Sequence, residues 1–211
     1  MTKIKICGIK TLEDALAAID AGVDYLGFNF YRRSVRFIEK RACAEITSVL
    51  KKEHSRIKLV GVFVNSLVEE IKDILDTCSL DMAQLHGDET AEMLKALDGK
   101  AFKAFRGIPE SIDGFVRSES PVFLVDASVK GVYGGSGVTA DWNGAAELAQ
   151  KYPLLLAGGL TPENVAEAVR RVKPWRVDVA SGVESAPGEK DASKMKALVK
   201  AVLDIRESES A

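Results

Sequence analysis

The feature that most constrains this chain is a repeated change in the spacing of its apolar residues. Short apolar runs rich in β-branched residues alternate with longer stretches whose apolar residues recur at helical spacing, along almost the whole sequence. Strict alternation of this kind predicts parallel strands joined by right-handed helical crossovers. Several of the short runs are nearly continuous in apolar residues, which is typical of strands that are buried on both faces.

Eight of these runs predict strands: Ile4–Ile6, Val23–Phe30, Ile57–Val64, Asp81–Leu85, Ala101–Phe105, Val122–Val125, Leu154–Ala157 and Val177–Ala180. Helical patterns follow most of them, at Leu12–Ile19, Glu39–Leu50, Leu67–Cys78, Glu89–Leu97, Trp142–Gln150, Pro162–Val172 and Ala192–Ile205. The unit after the fifth strand is weaker, with only Pro109–Val116 available for a short helix. Eight repeats close a barrel, whereas five or six would favour an open, doubly wound sheet. We therefore predict a single (β/α)8 TIM barrel domain over residues 1–211, with its active site at the C-terminal ends of the strands.

Several residues have chemistry typical of helix starts. Thr11 is followed three positions later by Asp14, which resembles a capping box, and Asp141 and Asp191 are suited to cap two later helices. Pro162 is predicted to occupy the first position of another helix, where a proline needs no backbone donor.

Composition excludes several classes of function. The 211 residues are 46% hydrophobic, enough for one sizeable core, and the formal net charge of −2 argues against nucleic acid as the main partner. Lysines interrupt the amino terminus and no apolar run approaches about 18 residues, so we expect no signal peptide, no membrane span and a cytoplasmic protein. Three cysteines without a pairing motif fit a reducing compartment. The two histidines, His54 and His86, are far apart in sequence, and no metal site is expected.

Two glycine-containing pairs follow the last two predicted strands. Gly158-Gly159 leads from the seventh strand towards a helix, and Ser181-Gly182 ends the eighth. Glycines let a backbone approach an anion closely, and barrels of this kind often bind phosphate with the loops after these two strands. The alternative is that a tight connection after a strand needs glycine in any case. Two pairs at adjacent strand ends favour a phosphate site.

Cys7 and Asp126 end the first and sixth predicted strands. Cys7 is either a small buried hydrophobic residue or a base, since a thiol with a pKa near 8.5 becomes one when its thiolate is stabilised. Asp126 is either a cap or loop hydrogen-bonding group, or an acid facing the mouth of the barrel. Together they would supply a base and an acid on opposite walls, as a proton-shifting isomerase requires.

Two arginines and one loop complete the set of candidates. Arg36, after the second strand, is either a surface residue or a fork that holds a planar carboxylate, and Arg106 at the end of the fifth strand has the same two interpretations. The loop Gly131–Gly137 is either a lid over the site or a mobile connection.

At this point the chain resembles a known family. The residues that carry the resemblance are Lys5-Ile6-Cys7-Gly8-Ile9, Gly27–Phe30 with Ser34-Val35-Arg36, Gly61–Asn65, Gln84–Glu89, Asp126, Gly134–Gly137 with Asp141-Trp142, Leu156–Leu160 with Pro162–Val165, Val177–Val179 with Ser181–Glu184, and Pro187-Gly188 with Lys190-Asp191. This ordered set, spanning about residues 3 to 195, is similar to phosphoribosylanthranilate isomerase. Val35 stands where the family usually has proline, and Ala140 where it usually has phenylalanine. Both departures alter loop packing and leave Cys7, Arg36 and Asp126 unchanged.

The resemblance implies the Amadori rearrangement of N-(5-phosphoribosyl)anthranilate in tryptophan biosynthesis, without any cofactor. It assigns Asp126 as the general acid that opens the sugar ring and Cys7 as the general base that takes the C2 proton. Arg36 would hold the anthranilate carboxylate, and Gly158, Gly159, Ser181 and Gly182 the phosphate. His86 and Asp178 are expected to line the substrate site, although Asp178 fits a structural hydrogen-bond network equally well. The sequence leaves the oligomeric state open.

Two other functions remain open from the sequence. One is the related sugar isomerase of histidine biosynthesis, which resembles a barrel with aspartate at the end of strand one and a doubled phosphate site. Cys7 at that strand end, and a third loop reading Asn65-Ser66 without paired glycines, argue against it. The other is a non-catalytic barrel that only binds a phosphorylated ligand, against which the presence of both Cys7 and Asp126 argues.

Overall fold

The eight predicted strands form one closed, parallel barrel in chain order, with β8 pairing back onto β1. The structure is a computed structural model that describes residues 2–115, 123–126 and 141–208. The strands are β1 (Lys3–Cys7), β2 (Tyr25–Asn29), β3 (Lys58–Phe63), β4 (Met82–Leu85), β5 (Ala101–Arg106), β6 (Phe123–Asp126), β7 (Leu154–Ala157) and β8 (Arg176–Val179). The predicted fold class is therefore confirmed.

In the described parts of the chain, seven α-helices connect or follow the strands: α1 (Leu12–Ala21), α2 (Lys40–Glu53), α3 (Val68–Thr77), α4 (Ala91–Ala96), α5 (Trp142–Ala149), α6 (Val165–Val172) and α7 (Ala192–Ser208). After β8 the chain makes a short 3-10 turn, Ser181–Val183, and a two-stranded antiparallel ribbon of β9 (Glu184–Ala186) and β10 (Glu189–Lys190). No helix among the described residues is long and apolar enough to cross a membrane.

Helix starts follow the predicted chemistry with one exception. Thr11 accepts from the backbone of Asp14, Asp141 from Gly144, and Asp191 from the backbone N–H groups of the first turn of α7. Pro162 was expected at the first helical position, but α6 begins at Val165 and the proline lies in the preceding turn. Asn164 occupies the N-cap position instead, but its side chain makes no hydrogen bond to the helix and bonds Thr161 and Gly159 in the preceding loop.

The predicted helix at Pro109–Val116 is wrong over the residues that are described. Residues 107 to 115 form bends and a turn, with no helical segment. The proline and glycine in this short stretch leave too few consecutive residues for a helical turn to be stabilised by packing.

Alternation along each strand divides the buried residues into two cores. Residues of one parity pack outward against the helices, in a core that includes Ile4, Ile6 and Phe28. Residues of the other parity fill the barrel interior, where an apolar cluster contains Tyr25, Val60, Phe102, Ala104, Leu124, Leu155 and Ala157. Lys5 and Cys7 on β1 share this inward parity, as do Gln84 on β4 and Asp178 on β8. The barrel interior is thus apolar in part and polar towards the C-terminal ends of its strands, with one more buried charge, Arg176, at the start of β8.

Candidate active site

Cys7 lies at the C-terminal end of β1, with 9% of its surface exposed. Its Cα pairs in register with that of Gly27 on β2. Burial raises the pKa of the Cys7 thiol above its usual value, and the nearby Asp178 carboxylate acts in the same direction. Lys5 and Lys190 oppose both effects by favouring the thiolate. The sulfur therefore lies where its protonation depends on two buried cations.

A chain of four polar side chains runs through the barrel below Cys7. The Lys5 ammonium donates to both carboxylate oxygens of Asp178, at 2.9 and 3.0 Å, and to Oε1 of Gln84 at 3.1 Å. Because Oε1 of Gln84 accepts from a cation, its Nε2 faces Nδ1 of His86 at 3.4 Å. The imidazole nitrogen must accept there, which leaves the ring proton on Nε2.

Asp126 ends β6, is half-buried, and pairs in register with Arg106 on β5 and Ala157 on β7. His86, which follows β4 directly, is surrounded by the charges of Asp126, Asp178, Arg106 and Lys5. Burial is the largest of the effects on this imidazole and lowers the pKa of His86, so that the ring is neutral at pH 7. His86, Asp126 and Asp178 thus share one end of the barrel, as predicted, and Asp178 also takes part in the structural network that was its alternative.

Arg36 is engaged by a carboxylate of the protein itself. Its Nε donates to Oε1 of Glu184 at 2.7 Å and its Nη2 to Oε2 at 2.6 Å. The Arg36 side chain is 23% exposed and that of Glu184 only 3%. This hydrogen-bonded pair raises the pKa of Arg36 still further, so the guanidinium remains charged. Glu184 thus fixes the orientation of Arg36, and the alternative that Arg36 is an ordinary surface arginine is excluded.

The Glu184 carboxylate also accepts hydrogen bonds from two groups other than Arg36. Its Oε1 also accepts from the buried Lys190 ammonium at 2.7 Å, and its Oε2 from the backbone N–H of Gly188 at 3.1 Å. On the other side of the guanidinium, a Cβ on Gly8 would lie 2.5 Å from Cδ of Arg36. Gly8 also has a φ of +83°, which favours glycine. The arginine stem is therefore packed against backbone while its fork is held by Glu184.

The two glycine pairs lie in loops that contact each other. Gly158 and Gly159 both have positive φ, of 96° and 64°. A Cβ on Gly182 would fall 1.8 Å from the carbonyl oxygen of Leu160, so these loops touch backbone to backbone. The Asn164 side chain ties the first loop, accepting from the N–H of Thr161 at 2.8 Å and donating to the Gly159 carbonyl at 2.9 Å. The loops after β7 and β8 thus form one continuous backbone surface, at which Gly159 and Ser181 are exposed.

Other sequence candidates have mixed outcomes. Val35 has 58% of its surface exposed, so replacing the usual proline leaves the Arg36–Glu184 pair intact. The proposed lid, Gly131–Gly137, and the Ala140 position lie outside the described residues. Among the described residues no group of three or more His, Cys, Asp or Glu side chains is arranged to hold a metal ion.

Several buried polar residues at this end of the barrel belong to the sequence motifs but have no predicted role, among them Lys5, Gln84, Glu184 and Lys190. The signal for the first two was available, because a lysine and a glutamine interrupt apolar strands at inward-facing positions. Glu184 and Lys190 come from the ribbon after β8, and the pattern of the chain did not predict that ribbon.

A separate cavity of about 510 Å³ opens at the opposite end of the barrel. Lys3, Asp24, Tyr25 and Lys58 are among the residues that line it, and none of the predicted site residues does. Its charged groups are partly paired with one another, since Asp24 lies 3.5 Å from Lys3. The polar chain and the glycine loops therefore distinguish the C-terminal end as the candidate site.

Comparison with known proteins identifies one family. A family model described as N-(5′-phosphoribosyl)anthranilate (PRA) isomerase matches residues 4–201. An N-(5′-phosphoribosyl)anthranilate isomerase from Geotalea uraniireducens (strain Rf4) is 46% identical over 202 residues, covering 95% of this chain and 98% of the relative. One of the same name from Geobacter sulfurreducens is 44% identical over 201 residues, covering 95% and 98%.

Solved structures lead to the same family. Phosphoribosyl anthranilate isomerase from Thermotoga maritima superposes with a TM-score of 0.85 and 36% identity, covering 97% of this chain and 100% of that one. A phosphoribosyl anthranilate isomerase in complex with reduced 1-(o-carboxyphenylamino)-1-deoxyribulose 5-phosphate superposes with a TM-score of 0.79 and 32% identity, with the same coverage.

Proposed function

This chain belongs to the N-(5′-phosphoribosyl)anthranilate isomerase family, and we propose that it catalyses the Amadori rearrangement of that phosphorylated substrate in tryptophan biosynthesis. The product is 1-(2-carboxyphenylamino)-1-deoxyribulose 5-phosphate. The proposal rests on one observation above all: in a chain of this family, Cys7 and Asp126 end strands β1 and β6 of the same barrel. An acid and a base at strand ends around one mouth are what an isomerisation by proton transfer requires.

Asp126 is the general acid in this proposal. It gives a proton to the furanose ring oxygen as the bond from that oxygen to C1 breaks. The lone pair on the anthranilate nitrogen then forms a double bond to C1, which yields an iminium ion. The neutral His86, beside Asp126, supports this step without adding a second positive charge close to the iminium.

Cys7 is the general base of the next step. Its thiolate removes the proton from C2, and the electron pair of that C–H bond forms a C1–C2 double bond while the iminium nitrogen becomes neutral. The enol then gains a proton at C1 and loses its hydroxyl proton, which yields the C2 ketone. No electrons enter or leave the substrate, so residues that move protons are sufficient for every step.

Arg36 binds the anthranilate carboxylate in this proposal. Glu184 occupies Nε and Nη2 of the guanidinium, which leaves hydrogens on Nη1 and Nη2 for a second carboxylate. A guanidinium that is already oriented loses less freedom when it binds a planar anion. The exposed 23% of Arg36 is compatible with such access.

The backbone surface formed by Gly158, Gly159, Ser181 and Gly182 binds the substrate phosphate. Glycines with positive φ leave the backbone accessible to an anion, and the phosphate and carboxylate are then held at opposite ends of one substrate. Asp178 and His86 line the space between these two anchors. We also propose that residues 1–211 act as one barrel domain and that the protein acts in the cytoplasm, where its three unpaired cysteines would remain reduced.

The direct test is the loss of anthranilate fluorescence when purified protein is mixed with N-(5-phosphoribosyl)anthranilate. We expect first-order loss that stops when the substrate is consumed. The bisphosphorylated substrate of the related sugar isomerase of histidine biosynthesis is assayed in parallel, and a preference for it would overturn the proposal. Binding without turnover would instead favour the non-catalytic phosphosugar-binding barrel.

A further inference from the structure

Lys5 is a lysine with no exposed surface inside a barrel. It precedes Cys7 by two positions on β1, so both side chains have the same inward parity, one layer apart. Burying an ammonium group costs free energy of folding unless the group is paired, so a buried lysine is expected to have a structural or a chemical role. Lys5 has no role in the steps of the proposed reaction.

A glycine on the neighbouring strand lets Lys5 and Cys7 approach each other. Cys7 and Gly27 are partners in register, and a Cβ built on Gly27 would lie 2.8 Å from Sγ of Cys7 and 3.0 Å from Nζ of Lys5. The sulfur and the ammonium nitrogen therefore border the same small space. A side chain at position 27 would occupy it.

The charged groups around the sulfur come from four elements: Lys5 on β1, Asp178 on β8, Lys190 on β10 and Arg36 in the loop after β2. Burial has the largest effect and raises the pKa of Cys7, and Asp178 adds to it. Among the groups that lower this pKa, Lys5 acts most strongly, ahead of Lys190. Without Lys5 the effects of burial and of Asp178 would be left with much weaker opposition.

Lys5 is held in its charged form by other partners. Burial alone would lower the pKa of Lys5, but Asp178 and the sulfur of Cys7 together raise it above its usual value. The ammonium also donates to Gln84, at 3.1 Å. Its position and charge are thus fixed before any substrate enters.

We propose that Lys5 is a positioning residue whose ammonium stabilises the Cys7 thiolate. This inference rests on the proposed function, because it concerns the base of that same reaction. When the thiolate takes the C2 proton, an S–H bond forms and the C–H pair moves into the substrate. Lys5 keeps its own proton throughout and Asp178 remains its partner. The alternative is that Lys5 serves only to neutralise Asp178.

The test measures the pKa of the Cys7 thiol in the free protein. Alkylation by iodoacetamide is followed between pH 6 and 11, and the modified peptide that contains Cys7 is quantified by mass spectrometry, apart from those of Cys43 and Cys78. Only the thiolate reacts, so the midpoint of the rate gives the pKa. Lys5→Met removes the charge and retains much of the chain volume. We expect the midpoint to rise by about one unit or more, and the rate at neutral pH to fall by about tenfold.

Two further variants keep the test sharp. Lys103→Met removes another buried lysine, which is paired with Glu89 at 2.7 Å on the outward side of β5, and should leave the Cys7 midpoint unchanged. Gly27→Ala retains both Lys5 and Asp178 and adds a methyl group 2.8 Å from the sulfur and 3.0 Å from the ammonium, so that these two groups must move apart. We expect this variant to raise the midpoint too, and it carries the test if Lys5→Met does not fold.

An unchanged midpoint in the folded Lys5→Met and Gly27→Ala proteins would overturn the inference, as would an equal rise in Lys103→Met. The measurement needs no substrate. A protein that does not isomerise N-(5-phosphoribosyl)anthranilate but shows the expected shift would refute the proposed function alone. If it does isomerise the substrate, the acidic limb of kcat/KM should move to higher pH in Lys5→Met by the same amount as the thiol midpoint.

Discussion

The guanidinium of Arg36 and the carboxylate of Glu184 form a two-pronged ion pair at 2.6 and 2.7 Å. The pair joins the loop after β2 to the ribbon after β8. Two segments far apart in sequence thereby fix one fork at the mouth of the barrel. Arg36, which we propose binds the substrate, thus also connects these two segments of the structure.

This double role predicts the behaviour of Arg36→Met. KM should rise at least tenfold, because the substrate carboxylate loses a bidentate partner whose charged hydrogen bonds are each worth about 1.5–3 kcal/mol. Glu184 would retain Lys190 but lose its second cation, so the free energy of unfolding should fall by about 1–3 kcal/mol. Steady-state kinetics and urea unfolding measure the two effects. Arg33→Met, an exposed arginine in the same loop, is the control and should change neither quantity. An unchanged KM in Arg36→Met would remove this residue from the substrate site.

Cys7→Ala and Asp126→Ala should each nearly abolish turnover. General acid or base catalysis contributes about 10²–10⁴-fold, so kcat is expected to fall by at least that factor while substrate still binds. Fluorescence titration gives the binding and progress curves give kcat. Cys78→Ala, which removes a buried thiol beyond the end of α3, is the matched control and should retain activity. Near wild-type rates in either site variant would exclude that residue from the mechanism.

Gly182 and Gly159 are expected to differ in how much a substitution by alanine raises KM. Gly182→Ala would place a methyl group 1.8 Å from the Leu160 carbonyl oxygen, so the loops after β7 and β8 must separate. We expect KM to rise more than tenfold and the melting temperature to fall. In Gly159→Ala the methyl group meets no protein atom within 4 Å, so the two loops keep their contact. The strain of a φ of +64°, about 1 kcal/mol, and the methyl group at the phosphate surface predict a smaller rise in KM. Equal KM values in the two variants would contradict a phosphate site built on the contact between these loops.

Arg176 predicts a stabilising substitution. Its side chain has no exposed surface, and its three guanidinium nitrogens lack a hydrogen-bond partner in the structure, over the residues that it describes. Burial lowers the pKa of Arg176 to about 10, against the opposing effects of Tyr25, Asp178 and Asp24. The guanidinium carbon lies over the rings of Tyr25 and Trp175, at 3.2 and 4.5 Å from their centroids. A buried donor that is left without a hydrogen-bond partner costs about 1–3 kcal/mol, and an apolar side chain of similar size avoids that cost. Arg176→Met should therefore raise the melting temperature by several degrees, as calorimetry would measure. A lower melting temperature would show that the aromatic contacts outweigh the cost of burial.

The fold was predictable from sequence because the signal was repeated eight times. Each strand of a parallel barrel is buried on both faces, so apolar runs such as Leu154–Ala157 matched the observed strand to the residue. The failures occurred where local and tertiary effects compete. Pro162 has the right chemistry for a helix start, yet residues 162–164 form a turn in which Asn164 bonds the preceding loop, and the helix begins at Val165.

The site was predictable only in part. Cys7 and Asp126 end strands, and the fold brings strand ends together, so their shared location followed from topology. The partners of Arg36 did not follow from the sequence, since Glu184 lies 148 positions away in a ribbon without a clear strand pattern. The inward position of Lys5 was predictable from the strand pattern. Its role was not, because that role depends on Asp178, its partner in the β1–β8 pairing.

The chain from Asp178 through Lys5 and Gln84 to His86 has a consequence for ligand recognition. As long as Lys5 carries its proton, the Gln84 amide cannot turn over, and the imidazole is confined to a single tautomer. A ligand that reaches this ring at Nε2 meets a hydrogen-bond donor and no acceptor. An inhibitor for this side of the barrel therefore needs an acceptor atom opposite Nε2 of His86. The buried charge of Lys5, acting through Gln84, determines this requirement.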